Sequence, residues 1–384
     1  METTAKIIYL DNNSTTRVDD RVIDKMLPLL KESYANASSS HHFGKTVNQL
    51  IKDARFDVSN LIGCDSDEII FTAGATESIN LALKGIALSP NFKRKKIVTI
   101  CTEHKAVLDT CKNLEEQGFE IVYLPVNNDG SVDMKLFASS IDAETLMVAA
   151  MYVNNETGII HDINQMAQLA HDKGAMFFCD ATQAFGKITI DVNQLDLDLL
   201  CFSGHKFHAP KGVGGLYIKK NLRSKIQTQQ SGGGQEFGVR SGTLNTVGIV
   251  GLGEACKISL YEMKTTEESV GKLRDLLEDE LLRIPGTFVN GNTKNRIYNT
   301  TNICFPNNDA NVIIGRLKNI ALSNGSACTS LVVEPSHVLA SMGLDEDLAF
   351  SAIRFSLSRF NTEDEVKKTV NEIKAVLIHS PITT

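Results

Sequence analysis

The sequence predicts an α/β protein with a large domain built on a mostly parallel mixed sheet and a smaller α+β domain. Short apolar runs rich in β-branched residues alternate with helical patterns between residues 65 and 220, which is the order expected for a parallel sheet covered by helices. After residue 245 the pattern changes to one long helical stretch and then to mixed strands and helices. A chain of 384 residues is long enough to bury two hydrophobic cores.

The strands of the first part are predicted from these apolar runs, and the helices from apolar residues that recur every three to four positions. The predicted strands are residues 68–72, 97–101, 120–126, 146–153, 175–179, 197–202 and 215–218. The predicted helices lie near residues 77–88, 105–117, 162–173 and 181–186.

The second part begins with helical periodicity from residue 245 to about 283, which Pro285 and Gly286 end. Strands are predicted at 301–305 and 352–357, and helices at 310–318 and 363–377. We expect the large domain to span residues 14–255, and the small domain to combine residues 1–13 with 256–384.

Composition excludes several classes of protein. Hydrophobic residues make up 42% and charged residues 22%, which is ordinary for a globular protein, and no run approaches the ~20 apolar residues of a membrane span. The first residues lack a secretory signal, so a cytoplasmic location is expected. A net charge of −7 gives no general attraction to nucleic acid. None of the eight cysteines forms a CxxC pair, so no metal site is expected.

Polar side chains follow successive predicted strands. They are Thr76, His104, Asn155, Asp180 and the group Ser203-Gly204-His205-Lys206. Ligands of open α/β sheets bind at the carboxyl ends of the strands, so these side chains predict one common site.

The segment Ala73–Glu77 follows a strand and opens a helix. Gly74 permits a tight turn, and Thr76 can cap the helix so that free backbone N–H groups face an anion. Many α/β turns have this composition, so the motif alone leaves phosphate binding open.

The segment from Ser203 to Gly212 is more specific. A lysine beside a hydroxyl, an imidazole and a glycine at a strand end suits an aldehyde cofactor bound to Lys206 as a Schiff base. The alternative is a surface lysine, but the surrounding glycine, proline, serine and histidine do not favour it. Lys211 lacks the preceding Ser-Gly-His. Asp180 closes an apolar strand and could pair with a protonated pyridine nitrogen, or cap a helix.

These motifs resemble the cysteine desulfurases of the NifS/IscS type, which are class V aminotransferase-like pyridoxal-phosphate enzymes of fold type I. The similarity runs from about residue 7 to 375. The matching stretches are residues 9–16, 71–80, 102–104, 153–158, 180–183, 203–215, 232–236, 240–243, 325–330 and 353–356.

The resemblance implies a role for each residue of the site. Lys206 binds the cofactor and moves protons, His104 stacks on the pyridine ring and acts in acid–base steps, and Asp180 pairs with the ring nitrogen. The phenolic oxygen would be reached by Gln183 and Asn155, and the phosphate held by Ala75, Thr76, Ser203 and His205. Thr243 would reach the phosphate of a neighbouring subunit, which implies a homodimer. The substrate carboxylate would be bound by Asn155 and Arg354, because a guanidinium offers a forked pair of donors.

Cys328 matches the nucleophile of the family. Its neighbours from Ser323 to Ser330 are small and polar, which indicates an exposed loop, although an inert surface thiol has the same setting. The resemblance implies that L-cysteine becomes L-alanine while Cys328 gains a persulfide. The sulfur then passes to an acceptor protein for iron–sulfur cluster assembly, tRNA thiolation or DNA phosphorothioation.

The sequence also departs from the family. Gln235 and Phe237 stand where housekeeping members commonly have His and Arg, and the chain stops at Thr384, where those members continue with a longer tail. These differences leave the acceptor open. A selenocysteine lyase or an aminotransferase of the same fold is the competing enzyme class, and an inactive partner subunit is the competing non-enzyme. Cys328 disfavours an aminotransferase, and the complete set of Lys206, Asp180, His104 and Cys328 disfavours an inactive subunit.

Overall fold

The computed structural model describes residues 6–325 and 334–378. Its α-helices are α1 (Asp20–Lys31), α2 (His42–Ile62), α3 (Ala75–Ala87), α4 (Lys105–Glu115), α5 (Met134–Ser140), α6 (Ile163–His171), α7 (Thr246–Leu282), α8 (Ala310–Arg316), α9 (His337–Ser341), α10 (Glu346–Phe350) and α11 (Glu363–Ile378). Its strands are β1 (Ile8–Tyr9), β2 (Ile69–Thr72), β3 (Lys96–Ile100), β4 (Glu120–Leu124), β5 (Thr145–Met151), β6 (Met176–Asp180), β7 (Leu199–Ser203), β8 (Gly214–Ile218), β9 (Phe288–Val289), β10 (Thr300–Cys304), β11 (Ile320–Ala321) and β12 (Ala352–Ser356).

The large sheet has the strand order β2-β8-β7-β6-β5-β3-β4. The pairs from β4 to β7 are parallel, whereas β8 is antiparallel to both β7 and β2. Strands β2 to β7 therefore run in one direction and β8 runs against them. This confirms the predicted mostly parallel mixed sheet. It also brings the loops that follow β2, β3, β5, β6 and β7 to one edge.

Helices cover both faces of this sheet. On one face Val148 and Phe177 belong to a core that also includes side chains of α2 and α7, and on the other face Met147 and Leu199 pack with side chains of α3 and α4. Every residue of β5 and of β7 is buried. Burial on both faces explains why these strands appear in the sequence as continuous apolar runs instead of alternating ones.

A separate core lies around the second half of the chain. Strands β12, β10 and β9 form an antiparallel sheet, and β1 pairs with β11 in parallel. Leu10, Phe355 and Val370 pack together there. Helix α7 contributes to both cores, with Leu252 in the first and Leu277 in the second. It crosses the expected boundary at residues 255 and 256 without a break, and the limits of the two domains remain a prediction.

The predicted helix at 181–186 is wrong. The segment forms turns in which Ala181 accepts hydrogen bonds from the backbone of Ala184 and Phe185. Gly186 follows with φ of 73°, in the left-handed region that ends a helix. A segment of six residues cannot offset the cost of helix nucleation, and Phe185 instead stacks on Phe202 with ring centroids 3.9 Å apart.

Helices α1 and α2 were not predicted, although α2 carries a helical signal. Val47, Ile51, Ala54 and Val58 recur at intervals of three and four residues and are all buried. None of the helices in the described ranges has an apolar stretch long enough to cross a bilayer.

Candidate active site

A cleft of about 840 Å³ lies at the carboxyl edge of the large sheet. It brings together most of the residues that the sequence predicted for the site. The lining includes Ala75, Thr76, His104, Asn155, Asp180, Gln183, Ser203, His205, Lys206 and Arg354. These residues therefore lie together as expected, and their functional roles stay predictions.

Lys206 lies in a short 3₁₀ turn, Gly204–Lys206, directly after β7. Its Nζ donates hydrogen bonds to the backbone carbonyls of Asn13 at 2.8 Å and Ser14 at 2.7 Å. Burial, together with the positive charge of Arg354, lowers the pKa of Lys206 to about 8. A substantial fraction of the amine is then neutral close to physiological pH, as a nucleophile for an aldehyde must be.

His104 caps the N-terminus of α4, which fixes its ring. Its Nδ1 accepts a hydrogen bond from the backbone N–H of Ala106 at 3.1 Å. Because Nδ1 is the acceptor, the proton of the neutral imidazole sits on Nε2. Burial lowers the pKa of His104 and so favours this neutral form. A neutral ring suits both roles expected of His104, stacking and proton transfer.

Asp180 is the last residue of β6, and its Oδ1 accepts hydrogen bonds from the N–H of Thr182 at 2.9 Å and the thiol of Cys201 at 3.4 Å. Asp180 thus caps a turn, as the sequence allowed, while it lines the cleft. Glu103 is buried nearby, and burial, with the negative charge of Asp180, raises the pKa of Glu103 well above its ordinary value. The neutral form of Glu103 is favoured, so Asp180 supplies the negative charge at this edge.

The turn between β2 and α3 forms an anion cradle. The N-cap of α3 is Gly74, not Thr76, which lies one residue inside the helix. The predicted capping role of Thr76 is therefore wrong. The N-cap position has φ of 154°, which favours glycine, and a Cβ on Gly74 would also lie 3.2 Å from the Ser203 hydroxyl. Unpaired N–H groups of the first helical turn attract anions.

His205 borders the same cradle. Its Nδ1 lies 3.1 Å from the hydroxyl of Thr15, and burial, with the charge of Lys206, lowers its pKa to about 4. His205 is thus neutral at physiological pH and can donate a hydrogen bond. The helix N-terminus at Gly74, the carboxylate of Asp180 and the amine of Lys206 line one cleft, and these groups suit the phosphate, pyridine nitrogen and aldehyde of pyridoxal phosphate.

Arg354 also lines the cleft and is anchored there by Asp11 and Ser14. Its Nη2 donates to Asp11 Oδ1 at 2.6 Å and to Ser14 Oγ at 2.7 Å, and its Nη1 donates to the carbonyl of Asn155 at 3.0 Å. Within the described residues its buried Nε has no hydrogen-bond partner. A guanidinium held in place at the cleft suits a carboxylate ligand. Asn155 takes part in this network through its carbonyl, so the roles expected of its side chain stay predictions.

One described residue of the predicted site lies elsewhere. Thr243 lines a different cleft, of about 390 Å³, together with Leu30 and Tyr34. Cys328 lies outside the described residues. Ser323 and Gly325, which precede Cys328 in the chain, line the active cleft.

Several residues that no sequence motif singled out for a role support the site through their backbone or through a second side chain. The carbonyls of Asn13 and Ser14 bind Lys206, Asp11 anchors Arg354, and Lys187 donates to Gln183. The polar run from Asp11 to Thr16 was a usable signal, because an apolar strand precedes it as one precedes the other site segments.

Comparison with known proteins agrees with this geometry. The family model "Aminotransferase class-V" matches residues 8–369. A probable mitochondrial cysteine desulfurase of Dictyostelium discoideum is 47% identical over 96% of this chain and 82% of its own length. The cysteine desulfurase IscS of Dechloromonas aromatica is 45% identical over 94% of this chain and 89% of its own length. The solved structure of a NifS-like protein superimposes with a TM-score of 0.91 at 36% identity, covering 97% of this chain and all of the other. The chain belongs to the class V aminotransferase family and, within it, to the pyridoxal-phosphate-dependent cysteine desulfurases.

Proposed function

We propose that this chain removes sulfur from L-cysteine, releases L-alanine and carries the sulfur as a persulfide on Cys328. The observation that carries the proposal is the position of Gly325 in the cleft that also contains Lys206 and Arg354. Cys328 follows Gly325 by three residues, so its Cα lies within about 11 Å of the Cα of Gly325 along the covalent chain. The covalent chain is therefore short enough to bring the thiol to the cleft that contains Lys206.

Each residue of the cleft would have its own role in this reaction. Lys206 would hold pyridoxal phosphate and return a proton to the product carbon, Asp180 would pair with the pyridine nitrogen, and His104 would cover the ring. The cradle that begins at Gly74 would bind the phosphate, and Arg354 the substrate carboxylate. When bound, the cofactor supplies an electron sink for the substrate carbons.

The sulfur transfer balances within the substrate and Cys328. The thiolate of Cys328 attacks the sulfur of the bound cysteine, and the new S–S bond forms as the C–S bond breaks. The electron pair of the broken bond stays with the substrate carbon, which takes up a proton and becomes the methyl group of alanine. The outer sulfur of the persulfide then passes to an acceptor protein. In an assay without an acceptor, a thiol reductant releases that sulfur as sulfide.

Variants at Cys328 and Lys206 test this reaction. Purified protein with a reductant is expected to form alanine and sulfide in equal amounts from cysteine. Cys328→Ala should keep the colour of the bound cofactor and lose sulfide release, whereas Lys206→Ala should lose the ordinary absorption band of the cofactor. Unchanged sulfide release by Cys328→Ala would reject the persulfide role.

The proposal includes a homodimer in which Thr243 of each subunit reaches the phosphate in the other. Thr243 is supported in this role by its surroundings, since Leu30 and Tyr34 beside it are 62% and 73% exposed, and large exposed apolar side chains are typical of interfaces. Light scattering gives the mass in solution. Mixing Thr243→Ala with Lys206→Ala subunits should restore one functional site per mixed dimer. A monomeric active enzyme would contradict this arrangement.

The sulfur acceptor belongs to iron–sulfur cluster assembly, tRNA thiolation or DNA phosphorothioation. Affinity capture with the persulfide form of Cys328, compared with Cys328→Ala as bait, distinguishes these pathways. A cytoplasmic location is part of the proposal, and fractionation of cells checks it.

A further inference from the structure

A second buried lysine lies behind the cleft. Lys187 is only 7% exposed, and its Nζ donates a hydrogen bond to Oε1 of Gln183 at 2.7 Å. Among the described residues, Gln183 is the only hydrogen-bond partner of this amine. Burying an amine costs free energy, so a lysine retained here needs a reason.

Within the described ranges no carboxylate forms an ion pair with Lys187, although Glu262 borders the same small cavity. Burial, with the positive charges of Lys206 and Arg354, lowers its pKa to about 7. It borders a cavity of about 30 Å³, which has room for about one water molecule. The contact with Gln183 is thus the specific interaction that Lys187 makes.

That contact determines which way the Gln183 amide points. A glutamine amide has one acceptor oxygen and two N–H donors. Lys187 occupies the oxygen, and the carbonyl of Asn13 accepts one N–H at 2.9 Å. Gln183 is 4% exposed and lines the active cleft, so the second N–H is what it can offer to a ligand there.

We propose that Lys187 is a positioning residue that holds the Gln183 amide with an N–H toward the phenolic oxygen of the cofactor. The inference rests on the binding of pyridoxal phosphate in this cleft, and it extends the site by a residue that touches neither cofactor nor substrate. A donor at the phenolic oxygen stabilises its ionised form and lowers the pH at which the bound cofactor changes its absorption.

The test is a double-mutant cycle on the cofactor-loaded protein with Lys187→Met, Gln183→Met and the double variant. The readout is the pH midpoint of the visible absorption change of the bound cofactor, which requires no turnover of cysteine. Lys187→Met should raise the midpoint by about 0.5 to 1 pH unit, the size expected for one hydrogen bond. Cofactor affinity, measured by equilibrium dialysis, should fall by up to about tenfold.

The cycle separates orientation from charge. If Lys187 acts through Gln183, adding Lys187→Met to Gln183→Met causes no further shift of the midpoint. An equal shift in both backgrounds would mean that only the charge of Lys187 matters, and an unchanged midpoint would mean that Lys187 is structural, so either result overturns the proposal. Exposed Lys173→Met is the control and should leave the midpoint unchanged. Lys187→Leu, which is smaller, carries the same expectations if the methionine variant does not fold. Failure of the sulfur-transfer proposal would appear separately, as wild-type protein that binds the cofactor and releases no sulfide.

Discussion

Lys206 and Gln183 donate hydrogen bonds to the same backbone carbonyl, that of Asn13, at 2.8 Å and 2.9 Å. Asn13 is itself fixed, because its side-chain amide donates to Thr300 Oγ1 at 2.9 Å and to the carbonyl of Asn155 at 3.1 Å. The N-terminal segment therefore positions the reactive amine and a second polar side chain of the site together. Three distant parts of the chain meet at this one carbonyl.

The pKa of Lys206 predicts how cofactor uptake depends on pH. Below about pH 8 most of the amine is protonated and only the neutral fraction can attack an aldehyde, and above about pH 8 the amine is mostly neutral. The rate of uptake by cofactor-free protein should rise about tenfold per pH unit below the midpoint and level off above it. Stopped-flow absorbance measures this rate. Arg354→Met should move the midpoint upward, because the charge of Arg354 contributes to the low pKa of Lys206. A midpoint near the ordinary lysine value of 10.5 would contradict the prediction.

Arg354 should determine the affinity for the substrate carboxylate. Arg354→Lys keeps the positive charge and loses the forked pair of donors, so kcat/KM for cysteine should fall about ten- to hundredfold, mainly through KM. Steady-state alanine formation measures this loss. The matched control is Asp11→Asn, which weakens the anchor of Arg354 and leaves its guanidinium in place. Asp11→Asn should cost less than Arg354→Lys, and the reverse order would assign the carboxylate to another residue.

The buried ion pair between Arg55 and Glu236 should be essential for stability. Arg55 Nη1 and Nη2 donate to the two carboxylate oxygens of Glu236 at 2.9 Å and 2.5 Å, and the N–H of Phe71 donates to the same carboxylate at 2.6 Å. Glu236→Gln leaves the charge of Arg55 buried without a counter-charge, and the free energy of unfolding should fall by about 3 kcal/mol.

Urea denaturation measures this loss of stability. Glu262→Gln breaks the much more exposed ion pair with Arg21 and should cost less than about 1 kcal/mol. Equal costs for the two variants would show that burial of the Arg55 pair is unimportant. Because Phe71 leads into the phosphate cradle, Glu236→Gln should also weaken cofactor binding, which fluorescence titration can follow.

Gly325 should be required for sulfur transfer and not for cofactor binding. It has φ of 77°, and a Cβ there would lie 2.4 Å from Oε2 of Glu156, the oxygen that accepts a hydrogen bond from Ser336 at 2.5 Å. Gly325→Ala should therefore lower the rate of persulfide formation on Cys328 at least tenfold, because either the carboxylate or the backbone must shift. Alkylation of the persulfide followed by mass spectrometry measures this rate.

The matched control for Gly325 is Gly286. It has φ of 84°, and no atom lies within 4 Å of the Cβ position. Gly286→Ala introduces a similar backbone strain without the collision, so it should lower stability slightly and leave persulfide formation unchanged. A loss of cofactor colour in Gly325→Ala would show that the glycine supports the whole site and would refute the separation.

The sequence predicted the strands of the large sheet and both ends of α7 close to their observed positions. Buried parallel strands need continuous apolar runs, and Pro285 with Gly286 cannot continue a helix. Both features therefore depend on short stretches of sequence. The failed helix at 181–186 shows the limit of this information. Its residues favour a helix, but Phe185 gains more by stacking on Phe202 within the core.

The sequence also identified most residues that line the cleft, because a parallel sheet collects the loops after its strands at one edge. Gly74 was identified in the phosphate turn, but its position as the N-cap required coordinates, since the cap depends on the approach of Ser203 from another strand.

The sequence by itself determined the fold class, the reactive lysine and the residues at the ends of the strands, because each depends on local composition and on the direction of the strands. Tertiary structure alone decided that Asn13 receives both Lys206 and Gln183, that Asp11 anchors Arg354 and that Lys187 fixes an amide of the site. Those contacts join residues that are distant in the chain or chemically ordinary in it. Hydrogen bonds between such residues depend on distances across the folded core, which no local pattern of residues encodes.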